Sequence, residues 1–268
     1  MVRPVIFYRG FDFEKKELAS AQKYFYCTNR FPEIKSEDFV ISRYGMYPFY
    51  NESYKDIHYI GAKLINNYNQ HLYVADLQNY VTDLKELTPR TWTNLQSLPD
   101  NTAFVLKGET NSKKSSWKKD MFAANKEEAI LVHNRLCDDL LIGQQKIYIR
   151  EYLPLFKYMD GVNDMPVTKE FRFFVAYGEI VSGGYYWQNY LEDLYIRPDV
   201  SEVPTSFLQE VIKRVGSQCN FYTIDVAQTI EGNWVVIELN EGQQSGLSGN
   251  NPDEFYSKLY NIIKRKAL

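Results

Sequence analysis

Residues 221–249 read FYTIDVAQTIEGNWVVIELNEGQQSGLSG. A strand pattern runs through Phe221, Tyr222, Ile224 and Val226, breaks at Glu231-Gly232 and resumes from Trp234 to Leu239, which predicts a β-hairpin. With Glu231 and Gly232 as the two loop residues, Ile230 faces Asn233 and Asp225 stands directly opposite Glu238, two carboxylates about 5 Å apart on one face. Asn240 shares that face, because side chains alternate along a strand. A three-residue loop would instead turn one carboxylate to the other face. Like charges this close call for neutralisation, and an Asp, Glu and Asn oxygen set suits Mg²⁺ or Mn²⁺. A solvated hairpin with its acidic residues on the wet side is the alternative reading of the same spacing. Beyond Asn240 a polar, glycine-containing loop leaves the strand end, where ligand sites tend to lie.

The rest of the composition narrows the class. A chain of 268 residues with 44% hydrophobic content can bury a substantial core in one large domain or in two to three interlocked lobes. Its 31 basic and 34 acidic residues leave a net charge of -3, which gives no basic field for non-specific nucleic-acid binding. Cys27, Cys137 and Cys219 are far apart and lack the paired spacing of zinc or redox motifs. They read as thiols of a reducing compartment, and with no apolar run of membrane-spanning length the expected location is the cytoplasm. The many Tyr and Phe residues read first as core filling.

Along the chain, strand-like Pro4 to Arg9 and Phe39 to Ser42 alternate with helical spacing over Glu14 to Phe25, Tyr54 to Asn66 and Leu77 to Leu87. Residues 1–89 thus read as a small α/β lobe. A second unit, 90–150, contains a strand from Ala103 to Leu106 that ends at Lys107 and a loop of small and basic residues (108–117). A lysine there offers a point charge to phosphate while loop amides wrap other oxygens, and Lys113, Lys114, Ser115 and Ser116 offer additional donors; a solvated turn is the plain alternative. The helix Lys126 to Leu141 follows, with His133 among its apolar positions as a packed side chain.

A third unit, 151–268, opens with Glu151-Tyr152-Leu153-Pro154 at the end of a strand and continues past an insertion-like stretch (156–166) to Thr168–Ala176. Glu170 and Arg172, two apart, share a face, and the arginine fork can hold phosphate oxygens or join a cross-strand ion pair. Gly183-Gly184 in the next strand signals a bulge or the close approach of a ligand. Helices over Ser206 to Cys219 and Pro252 to Lys264 complete the unit.

The order lysine, loop, strand-end carboxylate, Glu-x-Arg, Asp and Glu-x-Asn resembles the ATP-grasp superfamily, most nearly a clade marked by arginine and lysine signatures. The resemblance implies an α/β (α+β) fold in which two α+β lobes grip ATP, joined to the N-terminal lobe. It implies that Lys107, Ser115, Ser116, Glu151, Tyr152, Leu153, Glu170 and Arg172 contact the nucleotide, with Lys107 and Arg172 also catalytic. Asp225, Glu238 and Asn240 would hold the metal. The arginine common two residues before the metal aspartate is absent, position 223 being Thr, and Arg172 or Arg150 is the candidate to replace its charge.

The implied activity is an ATP-dependent ligase that joins a carboxylate to an amine through an acylphosphate, with ATP and Mg²⁺ (or Mn²⁺). Its partners would be a small-molecule or peptide acceptor and an amine donor, with Gln243, Gln244 and Ser245 touching the acceptor. A phosphotransferase on the same scaffold and a non-catalytic nucleotide-binding protein are the alternatives. The absence of a convincing Cys/His or Ser/His pair fits a reaction without an enzyme nucleophile.

Overall fold

The computed structural model describes residues 2–9, 12–46, 48–109 and 112–266. Strands β1 (Pro4–Tyr8), β2 (Tyr26–Thr28), β3 (Phe39–Arg43) and β4 (Lys63–Leu64) form a parallel sheet in the order β2-β1-β3-β4. They are linked by α1 (Asp12–Ala21) and α2 (Tyr50–Tyr59). All five residues of β3 are buried, as a parallel strand covered on both faces requires.

Several helices end before their spacing predicts, α1 at Ala21 rather than Phe25 among them. The one expected over Tyr54 to Asn66 is α2, which ends at Tyr59 because Gly61, at φ 80°, turns the chain into β4. Next come α3 (Tyr68–Ala75) and α4 (Leu77–Tyr80); the latter is all that remains of the helix expected over Leu77 to Leu87. Past Tyr80 the chain tightens into i to i+3 bonds (Lys85 N–H to Thr82 O, Leu87 N–H to Leu84 O), and Glu86 takes φ 73°.

The second sheet is antiparallel, in the order β5-β8-β6-β7: β5 (Thr91–Trp92), β6 (Phe104–Gly108), β7 (Phe122–Ala123) and β8 (Ile147–Glu151). The short α5 (Trp117–Asp120) precedes β7, and α6 (Lys126–Cys137) packs Ala129, Val132 and Leu136 onto Phe104, Leu106 and Ile149. Asn125 caps the start of α6 by accepting from the Glu128 N–H at 2.9 Å. It stops at Cys137, short of the predicted Leu141, where the Asp139 carboxylate accepts from the N–H groups of Leu141 and Ile142 and starts a new turn. Within the expected phosphate loop, Thr110 and Asn111 lie outside the described residues.

The stretch read as an insertion is a two-stranded ribbon, β9 (Lys157–Asp160) and β10 (Pro166–Thr168). It leads into the third sheet, ordered β12-β11-β13-β14: β11 (Glu170–Ala176), β12 (Glu179–Tyr185), β13 (Phe221–Gln228) and β14 (Trp234–Glu241). One face of this sheet (Phe171, Phe173, Val175, Tyr222, Ile224) packs on α7 (Thr205–Val215) and on α3–α4. On the other face, α8 (Pro252–Lys266) and the N-terminal sheet cover the end bearing Phe174, Ala176 and Phe221. The opposite end of that face carries Glu170, Arg172 and Asp225.

Asn66 ties the first sheet to the third. Its side chain is fully buried, donates to Phe221 O (2.7 Å) and Glu241 Oε1 (2.6 Å), and accepts from the N–H groups of Phe221 (2.9 Å) and Asn220 (3.1 Å). Asn66→Leu leaves those partners unsatisfied at about 1–3 kcal/mol each. Its midpoint in urea should fall well below that of the wild type.

The hairpin reaches the predicted facing by a different route. Its loop holds three residues, Ile230 to Gly232: the Thr229 N–H bonds Asn233 O at 2.8 Å, the Gly232 N–H bonds Thr229 O at 2.9 Å, and Gly232 adopts φ 89°. Pairing starts at Gln228↔Trp234 and runs to Val226↔Val236, then shifts, so that Asp225 meets Glu238 and Ile237 has no opposite number. The extra residue in the loop and the extra residue in this bulge cancel.

Candidate nucleotide and metal site

The register lines up one row of side chains. Gly184 on β12 faces Arg172 on β11, Arg172 faces Asp225 on β13, and Asp225 faces Glu238 on β14. From the second sheet Lys107, at the end of β6, extends the row by ion-pairing with Glu238 Oε2. The charges therefore run plus, minus, minus, plus across two sheets. Gly184 closes the far end: a Cβ there would lie 2.2 Å from Gly249 C, so the missing side chain lets the loop after β14 fold against β12. The close approach expected at this glycine is made by the protein's own backbone.

Arg172 donates to both oxygens of Asp225 (Nε 2.8 Å, Nη2 2.7 Å) and to Gly246 O (3.1 Å). Asp225 is fully buried, and Asn240 Nδ2 lies 3.3 Å from its Oδ2. Burial works against the Arg172 charge, but Asp225 outweighs it and holds the guanidinium firmly protonated. At Glu238 burial likewise opposes ionisation. Lys107 and Lys114, with hydrogen bonds from Lys107 and Asn240, nevertheless carry the carboxyl far below the usual range.

Between the second and third sheets lies a cavity of about 900 Å³, at the upper end of the range for small-molecule sites. Lys107, Lys114, Arg150, Glu170 and Glu238 are among its charged groups; Val105, Met121, Leu153 and Ile237 are among its apolar walls. The residues expected in the site distribute unevenly around it. Glu151, Tyr152 and Leu153 line the cavity, yet the Glu151 carboxylate is held by Arg90 through two 2.9 Å bonds. The N–H groups of Glu151 and Tyr152 bond Arg90 O and Ala103 O, both at 2.8 Å.

Ser115 and Ser116 do not line the cavity, whereas Ser112 and Lys114 do. The Ser115 carbonyl accepts from Asn163 Nδ2 of the ribbon (2.6 Å), which turns this part of the loop outward. Of the four loop residues expected to offer donors, Lys113, Lys114, Ser115 and Ser116, Lys114 alone lines the cavity. Its ammonium donates to the Tyr186 hydroxyl at 2.6 Å and lies 4.4 Å and 4.9 Å from the ring centres of Tyr186 and Trp187. Sequence offers only a Lys-Lys-Ser-Ser run as the signal; the cage comes from another sheet.

The loop expected to touch an acceptor is instead stapled to the N-terminal sheet. Gln243, 1% exposed, accepts from the Ser42 N–H (2.9 Å) and donates to the Tyr50 hydroxyl (2.8 Å). Gln244 accepts from the Met46 N–H (3.2 Å), and Ser245 donates to Glu241 O (2.9 Å). His133, read as a packed side chain, is half-buried beside Cys137 Sγ at 3.5 Å.

Burial raises the Glu170 carboxyl to about 7, with Asp225 and Glu238 adding to the rise and Lys114 opposing it. An acid whose folded pKa lies above its unfolded one binds more protons when folded, so its contribution favours folding at low pH. That contribution is lost as pH climbs from the ordinary glutamate value of 4.5 to about 7. Glu170→Gln should remove this fall: stability of wild type relative to the variant declines across the window, measured by urea unfolding at half-unit pH steps.

Among the described residues no group of three His, Cys, Asp or Glu side chains is placed to hold one ion. The donor set here is two facing carboxylates and an amide, all hard oxygen donors, which fits Mg²⁺ in type. In this arrangement Arg172 holds both Asp225 oxygens and Lys107 holds Glu238.

Two sheets close on a cavity, a lysine from one meeting the acidic row of the other, and solved structures share the fold. Over 98% of this chain and 100% of theirs, the D-cycloserine synthetase DcsG (11% identity) superimposes at a TM-score of 0.62 and a RimK-domain ATP-grasp protein from Sphaerobacter thermophilus (13%) at 0.61. The D-alanine–D-alanine ligase of Bacillus anthracis, complexed with ATP, gives 0.60 at 12% identity over 99% of this chain and 96% of the ligase. Comparison with curated protein sequences gives no match. The chain belongs to the ATP-grasp domain family, in the third family of the clade marked by arginine and lysine signatures, whose model matches residues 96–259. Among the described residues no helix is long and apolar enough to cross a membrane.

Proposed function

We propose that this protein is an ATP-dependent ligase that joins a carboxylate to an amine through an acylphosphate. The observation that carries the reading is the Lys107–Glu238 contact, which brings the two sheets to one point across the cavity. The ligases among its structural relatives support the direction: one is described with ATP, and the ATP-grasp ligase PsnB with a minimal precursor, Mg and ADP. Residues 90–150 and 151–268 would be the two lobes that grip ATP, with residues 1–89 as the N-terminal lobe.

In this reading the adenine lies against Leu153, and the triphosphate runs toward Lys107, Lys114 and the acidic row. Glu238, Asn240 and Asp225 would hold Mg²⁺, which when bound neutralises charge on the β- and γ-phosphates. Lys107 and Lys114 supply fixed positive charge where the phosphoryl group is transferred. Arg172 keeps Asp225 in place and, through Gly246 O, fixes the loop that follows β14. An acceptor carboxylate oxygen attacks the γ-phosphorus as ADP leaves. The amine nitrogen then attacks the acyl carbon, phosphate departs, and the amine loses its proton to solvent.

The test is mass spectrometry of cell extract incubated with protein, ATP and Mg²⁺, with Glu238→Gln as control. A condensation product seen only with wild type supports the ligase. A phosphorylated product would indicate a phosphotransferase, ATP binding without turnover in any substrate panel a nucleotide-binding scaffold, and a product in both reactions would remove this site from contention.

A further inference from the structure

Arg150 on β8 is 5% exposed, lines the cavity and, among the described residues, forms no ion pair with a carboxylate. Its Nη1 donates to Ile237 O and its Nη2 to Thr88 Oγ1 at 2.7 Å, while its Nε has no hydrogen-bond partner among the described residues. Ile237 is the residue that bulges from β14. A bulged residue drops out of the ladder and leaves its carbonyl without a strand partner. Arg150, reaching over from the second sheet, supplies that partner.

The residue before the bulge is held as well. Thr88 Oγ1 donates to Val236 O at 2.9 Å, and the Val236 N–H donates to Leu87 O at 2.6 Å. Residues 87–88 and Arg150 together grip both sides of the register shift. Because the shift alone makes Glu238 face Asp225, sliding it by one residue would turn Glu238 to the α7-packed face.

We propose that Arg150 is a positioning residue: its guanidinium fork fixes the Ile237 bulge and thereby holds Glu238 in the row, coupling the second sheet to the acidic end of the third. The functional part rests on the nucleotide and Mg²⁺ reading above, whereas the grip itself does not. A fork is required, because one arm takes the carbonyl and the other takes Thr88; a lysine keeps the charge and loses the geometry.

The experiment compares wild type, Arg150→Lys, Arg150→Met and Thr88→Val by hydrogen exchange and by calorimetric titration with ADP, with and without Mg²⁺. Amides of residues 236–239 should exchange about tenfold faster in both Arg150 variants, with those of β12 unchanged, and the gain in ADP affinity on adding Mg²⁺ should shrink about tenfold. Thr88→Val, which spares the Ile237 bond, should show the same change at smaller size, and it carries the test if the Arg150 variants do not fold. Full rescue by lysine would make Arg150 a charge contact and overturn the proposal, as would unchanged exchange at 236–239. Wild type that binds no ADP would sink the nucleotide reading, while the exchange data still decide the grip.

Discussion

Glu238→Gln should lower ATP turnover by about a hundredfold or more, the scale on which removing one preorganised electrostatic group slows a transfer reaction. Glu238 contributes twice in this site. In the proposed reading it is a metal-holding carboxylate, and it is the group that pairs with Lys107 across the cavity. The amide isostere retains volume but surrenders charge, so the Mg²⁺ concentration for half-maximal rate should rise as the maximal rate falls. Lys107→Met should produce a loss of similar size. The double variant should be little worse than either single one, because groups that act as one unit are not additive. Steady-state ATP consumption at varied Mg²⁺ checks all three. Equal rates for wild type and Glu238→Gln would leave the row without a catalytic role.

The largest stability effect should come from Asp225→Asn. Asp225 is fully buried and both of its oxygens are held by Arg172, which is 9% exposed. Neutralising one member of such a pair leaves the other as an uncompensated buried charge, a loss of about 3–5 kcal/mol. In a chain of this size that corresponds to a melting point lower by roughly 10 °C. Asp225→Asn combined with Arg172→Met removes the stranded charge, so the double variant should melt above Asp225→Asn alone. A double variant that melts lower would mean that Arg172 contributes mainly through Gly246 O and its stacking on Tyr186, 4.9 Å away.

Much of this was legible in the sequence where periodicity met chemistry. Strand patterns marked β6, β8, β11, β13 and β14; their polar positions marked Glu170 with Arg172 on one face, Asp225 with Glu238 and Asn240 on another, and Lys107 at a strand end. The Asp225–Glu238 facing illustrates the limit. The two-residue loop assumed for it was wrong by one residue, and the bulge at Ile237 compensates. Nothing in VVIELNE announces a bulge, whose placement depends on Arg150 and Thr88 from elsewhere in the chain.

Ser115, Ser116 and Gln243 were misplaced for the same reason, the helix ends for a local one. Ser115 and Ser116 look like phosphate ligands beside a lysine, but the ribbon residue Asn163 claims the Ser115 carbonyl and Tyr186 draws Lys114 inward. Gln243 and Ser245 look like free polar loop residues, yet Gln243 is taken by the Ser42 N–H and the Tyr50 hydroxyl of the N-terminal lobe, and Ser245 donates to Glu241 O at the end of β14. Helix ends missed by a turn or more, at Tyr59, Tyr80 and Cys137, were set by a positive-φ glycine, tight turns and the Asp139 carboxylate. Such choices are local, and hydrophobic spacing does not encode them.

The most direct measurement is a crystal structure of the protein with a non-hydrolysable ATP analogue and Mn²⁺, whose anomalous signal locates the ion independently of the nucleotide. The triphosphate should lie between β6 and β14 within reach of Lys107 and Lys114, with the anomalous peak against Glu238 and Asn240. A nucleotide bound outside this cavity, or an ion that avoids Glu238 while the triphosphate is in place, would contradict the account.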